Sequence, residues 1–227
     1  MAAFRAVDEL VQDGMVLGLG SGSTVAYAVK RLSERVREEE LELLCIPTSY
    51  QIAFLAIETG LKLTSLDEHP EPDLAIDGAD QASRELDLIK GGGAALTREK
   101  IVDHAAKELV IVVDEAKLAD ELGEKDVPVP VEVLPFAKTL VLRELKRVGA
   151  REARVRESGA GKVGPVITDN GNLIIDAYFG LIERPGELDR AIKTIPGVVE
   201  TGLFVGMTDL LYVGSRSGAV EVLKRGA

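Results

Sequence analysis

Tryptophan is absent from the 227 residues, cysteine occurs once and histidine twice. The lone cysteine, Cys45, excludes an internal disulfide, and its setting L-E-L-L-C-I-P suits a small core residue. His69 and His104 lie in no ligand cluster, so a zinc centre has no donors. So few histidines also leave no Ser-His-Asp or Cys-His arrangement. No apolar run reaches the roughly 18 residues of a membrane span, and M-A-A-F-R-A-V-D-E lacks a signal-peptide pattern. A soluble, cytoplasmic protein is expected. Positive charge is in deficit: 27 Lys and Arg stand against 38 Asp and Glu, a net charge of −11. With no long basic cluster, neither nucleic acid nor an anionic membrane is an expected partner. An anionic substrate would need a local positive site. Amides are scarce too, five in all, a pattern of heat-adapted proteins that biased genome composition also produces.

Hydrophobic residues make up 46% of the chain, enough for a substantial core. Met15 to Gly20 is a continuous apolar run of strand length, and Val25, Val29, Leu32 and Val36 follow at helical spacing. Strands are expected at 41–46, 61–66, 74–76 and 109–113, with helices at 3–12, 50–59 and 92–107. This alternation predicts a Rossmann-like, mostly parallel α/β sheet with helices on both faces. The rhythm changes near residue 123. Proline-bearing 126–133 reads as an edge or crossing strand. A helix at 136–148, strands flanking the hairpin signal Asp169-Asn170-Gly171, a short helix at 186–194 and a strand at 198–205 follow. That β-α-β-β-α-β order predicts a small ferredoxin-like α+β domain. Residues 210–213 and a helix near 217–225 would return to the first sheet. The expected division is 1–125 with 206–227, and 126–205. The basic residues Lys138, Arg143, Lys146, Arg147, Arg151, Arg154 and Arg156 alternate with acids and read as a solvated face.

The densest chemistry lies between Asp77 and Lys100. Asp77 ends a buried strand, where open α/β sheets bind ligands. Asp80, Lys90 and three consecutive glycines, Gly91, Gly92 and Gly93, follow. The triplet admits a ligand close to backbone N–H groups and opens the next helix. Glu99 falls on that helix's apolar face with Ala95, Leu96, Val102 and Ala106. Withdrawal from water raises a carboxyl's pKa toward the range a general base needs. An ion pair with Arg98 is the structural alternative.

The loop G-L-G-S-G-S-T at 18–24 lacks the third glycine of a dinucleotide fingerprint, because Ser23 stands there. Ser21, Gly22, Ser23 and Thr24 instead suit a cup for one phosphate, or a plain turn with hydroxyl capping. Asp77, Asp80, Asp87 and Glu99 could be magnesium ligands, but Lys90 already supplies positive charge. Together these parts suit proton transfer beside the carbonyl of a sugar phosphate, with no metal, nucleotide or other cofactor.

The motifs G-L-G-S-G-S-T at 18–24, D-G-A-D at 77–80, K-G-G-G-A-A-L-T-R-E-K at 90–100 and V-D-E-A-K-L at 113–118 occur in order with V-P-V-E-V-L-P at 129–135, T-D-N-G-N at 168–172 and I-P-G-V-V-E-T-G-L-F at 195–204. In these blocks the chain resembles A-type ribose-5-phosphate isomerases over essentially its whole length. The resemblance implies an aldose–ketose isomerase of the non-oxidative pentose phosphate pathway, with Glu99 moving the proton. It implies Asp77, Asp80 and Lys90 as helpers in ring opening and enediolate stabilisation. Ser21 to Thr24, Asp77, Gly78, Ala79, Asp80, Lys90 to Gly93 and Lys117 would line the substrate site. Ser21 stands where many members carry threonine, with the hydroxyl kept. A homodimer or dimer of dimers is also implied. Two other readings compete: a sugar-phosphate-sensing module, which would need a DNA-binding segment, and an acyl-CoA transferase using Glu99 as nucleophile.

Overall fold

The computed structural model describes residues 1–159, 161 and 163–225. In chain order the elements begin with α1 (Ala2–Leu10), β1 (Val16–Leu19), α2 (Ser23–Glu39), β2 (Leu44–Pro47), α3 (Tyr50–Glu58), β3 (Lys62–Leu63), β4 (Leu74–Asp77), β5 (Gln81–Ser83) and β6 (Leu88–Ile89). Next come α4 (Leu96–Ala105), β7 (Leu109–Asp114), β8 (Leu118–Ala119), β9 (Val129–Val133), α5 (Lys138–Arg147) and β10 (Glu152–Val155). The chain closes with β11 (Leu173–Tyr178), α6 (Pro185–Lys193), β12 (Val198–Thr201), β13 (Leu203–Phe204), β14 (Leu210–Gly214) and β15 (Val220–Lys224). Among the described residues no helix is long and apolar enough to cross a membrane.

The chain forms two compact units, residues 1–79, 98–118 and 207–227 in one, and 80–97 with 119–206 in the other. These cuts differ from the expected 1–125 with 206–227, and 126–205. Residues 81–83 and 88–89 pair with each other and with 203–204 in a small sheet, which carries that segment into the smaller unit.

The first unit is a seven-stranded sheet of order β15-β14-β7-β4-β1-β2-β3, parallel except for β15. Leu17 and Leu19 join Ile76, Val110 and Val112 on one face, packed against α1, α2 and α3. Side chains alternate along a strand, so Gly18 faces the other way. There Val102 of α4 lies so close that a Cβ on Gly18 would meet its Cγ1 at 2.5 Å. Helices therefore cover both faces. The order turns back between β1 and β4, the switch point at which such sheets open a crevice beyond their carboxyl ends. The helix expected near 217–225 is instead β15, paired antiparallel to β14. Val220, Val222 and Leu223 sit in an edge hairpin whose turn is closed by Gly218 at φ 90°.

In the second unit, β9-α5-β10-β11-α6-β12 follow one another and the sheet order is β10-β11-β9-β12, a ferredoxin-like arrangement. Val131, Val133, Val141, Leu145, Ile175 and Ile192 fill its core. β9 was expected to be an edge or crossing strand because of its prolines; it lies inside the sheet between β11 and β12, so the edge reading does not hold. A strand residue's N–H and C=O face the same side. The Pro130 carbonyl accepts from Gly202 N–H at 2.7 Å, so its missing donor faces a point where β12 has already ended. The strand expected at 198–205 likewise breaks at Gly202. A Cβ there would lie 2.3 Å from the Lys90 carbonyl, and β12 and β13 belong to different sheets.

Candidate active site

In the first unit the carboxyl ends of β1 and β4 bring the serine-rich loop and Asp77 together. Asp77 is fully buried, and its Oδ1 accepts from the Gly78 N–H at 2.6 Å. Gly20 is pressed against it: an added Cβ would come within 1.9 Å of the Asp77 carboxyl carbon. Only a residue without a side chain fits that contact.

The hydroxyls of the loop differ in their partners. The N-cap of α2 is Gly22, at φ 101°, with no side-chain cap. Among the described residues the Ser23 and Thr24 hydroxyls have no protein partner. Ser21 is different: its Oγ donates to Ser49 Oγ at 2.6 Å and pairs with Thr48 Oγ1 at 2.8 Å. Gln51 Oε1 accepts from the Gly22 N–H at 3.1 Å. Ser21 therefore staples the loop to the β2–α3 turn, a role that Ser23 and Thr24 do not share. Thr48, Ser49 and Gln51 were missed from the sequence. The signal for them was the polar T-S-Y-Q run beyond the second strand.

Glu99 lies on α4 and is 4% exposed, with Leu96, Val102 and Asp103 on the same buried side. The helix starts at Leu96 rather than near residue 92, because Gly91 (φ 105°) and Ala94 (φ 60°) hold a left-handed turn first. Arg98 lies over the Tyr50 ring, 5.2 Å from its centroid. Lys117 is half-buried in a 3-10 turn after β7, capped by Asp114 accepting from the Ala116 N–H at 2.9 Å. It thus follows the carboxyl end of the strand that neighbours β4. Ala79 is partly buried at the end of this unit.

The second unit holds Asp80, Lys90 and the glycine triplet. Lys90 is 2% exposed, its Nζ 5.4 Å from the Phe204 ring centroid, and its N–H donates to the Gly202 carbonyl at 2.8 Å. Asp80 Oδ2 accepts from the Gly92 N–H at 2.6 Å. One N–H of the expected cradle is thus already used. A Cβ at Gly91 would strike Leu96 at 2.6 Å, and one at Gly92 would strike Asp80 at 2.5 Å, whereas Gly93 faces open space.

Two supports went unread in the sequence. Glu132, in the middle of β9, is fully buried. Its carboxylate accepts from Thr97 Oγ1 (2.6 Å), Thr168 Oγ1 (2.9 Å), Asn170 Nδ2 (3.1 Å) and Asn172 Nδ2 (2.8 Å). Charge-assisted bonds from neutral donors offset its desolvation. They tie the first turn of α4, two residues before Glu99, to the T-D-N-G-N turn. Arg156, expected on a solvated face, has a side chain only 17% exposed and bonds to the carbonyls of Gly91 and Gly92. Among the described residues no group of three or more His, Cys, Asp or Glu is placed to hold a metal ion.

The sequence profile of the ribose 5-phosphate isomerase A (phosphoriboisomerase A) family matches residues 44–218. A ribose-5-phosphate isomerase A of Methanothermobacter thermautotrophicus is 52% identical over 218 residues, covering 96% of this chain and 94% of the relative. The human ribose-5-phosphate isomerase is 44% identical, over 99% of this chain and 72% of the relative. Among solved structures, ribose 5-phosphate isomerase A from Methanocaldococcus jannaschii superposes with a TM-score of 0.92 at 50% identity, covering 98% of this chain and 96% of that one. A D-ribose-5-phosphate isomerase in complex with phospho-erythronic acid gives a TM-score of 0.94 at 45% identity, covering 99% and 96%.

Proposed function

The chain belongs to the ribose 5-phosphate isomerase A family, and we propose that this isomerase interconverts D-ribose 5-phosphate and D-ribulose 5-phosphate by proton transfer through an enediolate, with Glu99 as the base and no metal. The observation that carries the mechanism is the burial of Glu99 on a helix that opens with a glycine-rich turn. A carboxylate held out of water has the basicity that carbon-acid chemistry asks of it.

The substrate phosphate is held by Ser23, Thr24 and the N–H groups that begin α2, with Ser21 and Gly22 shaping the loop. Lys117 adds positive charge for an anionic substrate that an acidic chain would otherwise repel. Asp77 and Asp80 assist ring opening, in which the ring oxygen gains a proton as the C1 hydroxyl loses one. Glu99 then takes the C2 proton. The C–H electron pair becomes the C1–C2 double bond, and negative charge develops on the C1 oxygen. Lys90 and the N–H groups of the glycine triplet stabilise that oxygen, which acquires a proton as the C2 hydroxyl gives one up. Glu99 returns its proton to C1, leaving the carbonyl on C2. Lys90, as a local cation beside the reacting oxygen, is our reason for a route without metal.

Phospho-erythronic acid, bound by the relative noted above, carries a carboxylate where an enediolate carries its oxygens, and it is expected to compete with ribose 5-phosphate here. The direct test is to incubate the purified protein with ribose 5-phosphate in EDTA and follow ribulose 5-phosphate. No product sinks the reading. Activity that appears only when magnesium is restored removes its metal-free part. We also read the protein as a cytoplasmic homo-oligomer, a dimer or a dimer of dimers, which light scattering of the purified protein checks.

A further inference from the structure

Arg156 follows β10 and is fixed by its own backbone, with its N–H donating to the Ile174 carbonyl at 2.8 Å and its carbonyl accepting from Val166 at 2.9 Å. Its guanidinium is fully employed. Nε and Nη2 bond to the two oxygens of buried Asp176 at 2.9 and 2.5 Å. Nη1 bonds to the Gly91 carbonyl at 2.8 Å and the Gly92 carbonyl at 3.0 Å. Asp176 neutralises the charge at close range, so Arg156 is poorly placed to attract an anion through its field. What it does is geometric.

A trans peptide is planar and holds its N–H opposite its C=O. Two successive carbonyls drawn to one nitrogen therefore turn the N–H groups of Gly92 and Gly93 away from Arg156. The Gly92 N–H is met by Asp80 at 2.6 Å, so Asp80 and Arg156 grip the same peptide from opposite sides. The Gly93 N–H has no protein acceptor among the described residues, and Gly93 borders open space. Successive N–H groups turned the same way form an anion-binding concavity. A cation on the carbonyl side also polarises each peptide and strengthens its N–H as a donor. Three glycines in a row would otherwise be the least ordered stretch of the chain.

We propose that Arg156, anchored by Asp176, is a positioning residue for the isomerisation: it holds the Gly91–Gly92 peptides so that the Gly93 N–H is presented to the oxygen that becomes negative. This rests on the enediolate reading above. Lysine cannot replace it, because one ammonium does not span a carboxylate and two carbonyls in a single plane.

The test is steady-state kinetics of Arg156→Lys with ribose 5-phosphate, alongside its thermal midpoint. A donor that matters as charge develops shows in kcat rather than KM. Expected are a fall in kcat of about tenfold or more, a KM within about threefold of wild type and a folded protein. A kcat within about twofold of wild type overturns the proposal, as does a raised KM with kcat kept. Should Arg156→Lys fail to fold, Asp176→Asn carries the test. It keeps the shape but loosens the guanidinium, and the same split decides. A wild-type protein that does not convert ribose 5-phosphate overturns the enediolate reading and this one with it, whereas active wild type beside an unimpaired Arg156→Lys overturns this one alone.

Discussion

Gly20 and Asp77 are in direct backbone-to-carboxyl contact at the switch point of the larger sheet, with room for no atom between them. An added Cβ would sit 1.9 Å from both Cγ and Oδ1 of Asp77. Asp77 is fully buried and cannot swing into solvent to make way. Gly20→Ala should therefore displace the carboxylate. Overpacking of this kind costs about 1–3 kcal/mol. If Asp77 acts on the substrate, kcat should fall by roughly a hundredfold, since small misplacements are that costly in a positioned site. Calorimetry and initial rates check it, and an alanine variant with wild-type turnover would remove Asp77 from the mechanism.

Glu99→Gln keeps the shape of the side chain and removes its basicity. Losing a positioned base lowers kcat by about 10²-fold or more. Near-normal turnover would leave the proton transfer to another group. Exchange of solvent deuterium into the product at C1 offers a second readout and should fall in step with kcat.

Much of this was readable from residue order. The apolar runs at 15–20 and 109–113, the helical spacing at 25–36, the β-α-β-β-α-β rhythm and the D-G-A-D and K-G-G-G stretches are local signals, and local signals survive in a linear text. What failed was set by partners distant in sequence. Val220 to Lys224 carries too few apolar residues to choose between helix and strand, and pairing with β14 decides it. Pro130 argued for an edge strand, but the end of β12 opposite its missing donor made an interior position possible. Arg156 looked like a member of a charged surface, and Glu132 drew no reading of its own. Their roles are visible only once residues 64 to 65 positions away for Arg156, and 35 to 40 for Glu132, are brought to them. The serine-rich loop after β1 was legible in outline, yet the tie between Ser21 and the hydroxyls of Thr48 and Ser49 across the sheet was not.

That tie, which Ser23 and Thr24 do not share, makes a prediction about affinity. Ser23 and Thr24 have no protein duties for their hydroxyls, so replacing both with alanine should leave the fold intact. Each lost hydrogen bond to a charged group is worth about 1.5–3 kcal/mol. KM for ribose 5-phosphate should therefore rise by about tenfold or more while the thermal midpoint stays put. Ser21→Ala should behave differently, lowering the midpoint because it cuts the bonds to Thr48 and Ser49. Unchanged KM in the double variant would count against the anion cup.

Two buried acids set a limit at high pH. Burial pushes the Cys45 thiol from its ordinary 9.0 up to about 12. Burial first, and then its hydrogen bond to Glu9, pushes the Tyr212 phenol from 10.0 up to about 12. Both groups are held neutral in the fold, while the unfolded chain ionises near the ordinary values. Their contribution is therefore complete below about pH 9 and is lost as pH rises toward 12, since the unfolded state has fewer bound protons there. The slope for one such group is about 1.4 kcal/mol per pH unit once its unfolded form has ionised. Urea midpoints measured from pH 8 to 11 should fall with increasing steepness as the phenol joins the thiol. Cys45→Ala removes the earlier of the two contributions. Whatever its stability at pH 8, its decline between about pH 9 and 10 should be shallower than that of the wild type. Equal slopes would mean that the thiol ionises alike in both states.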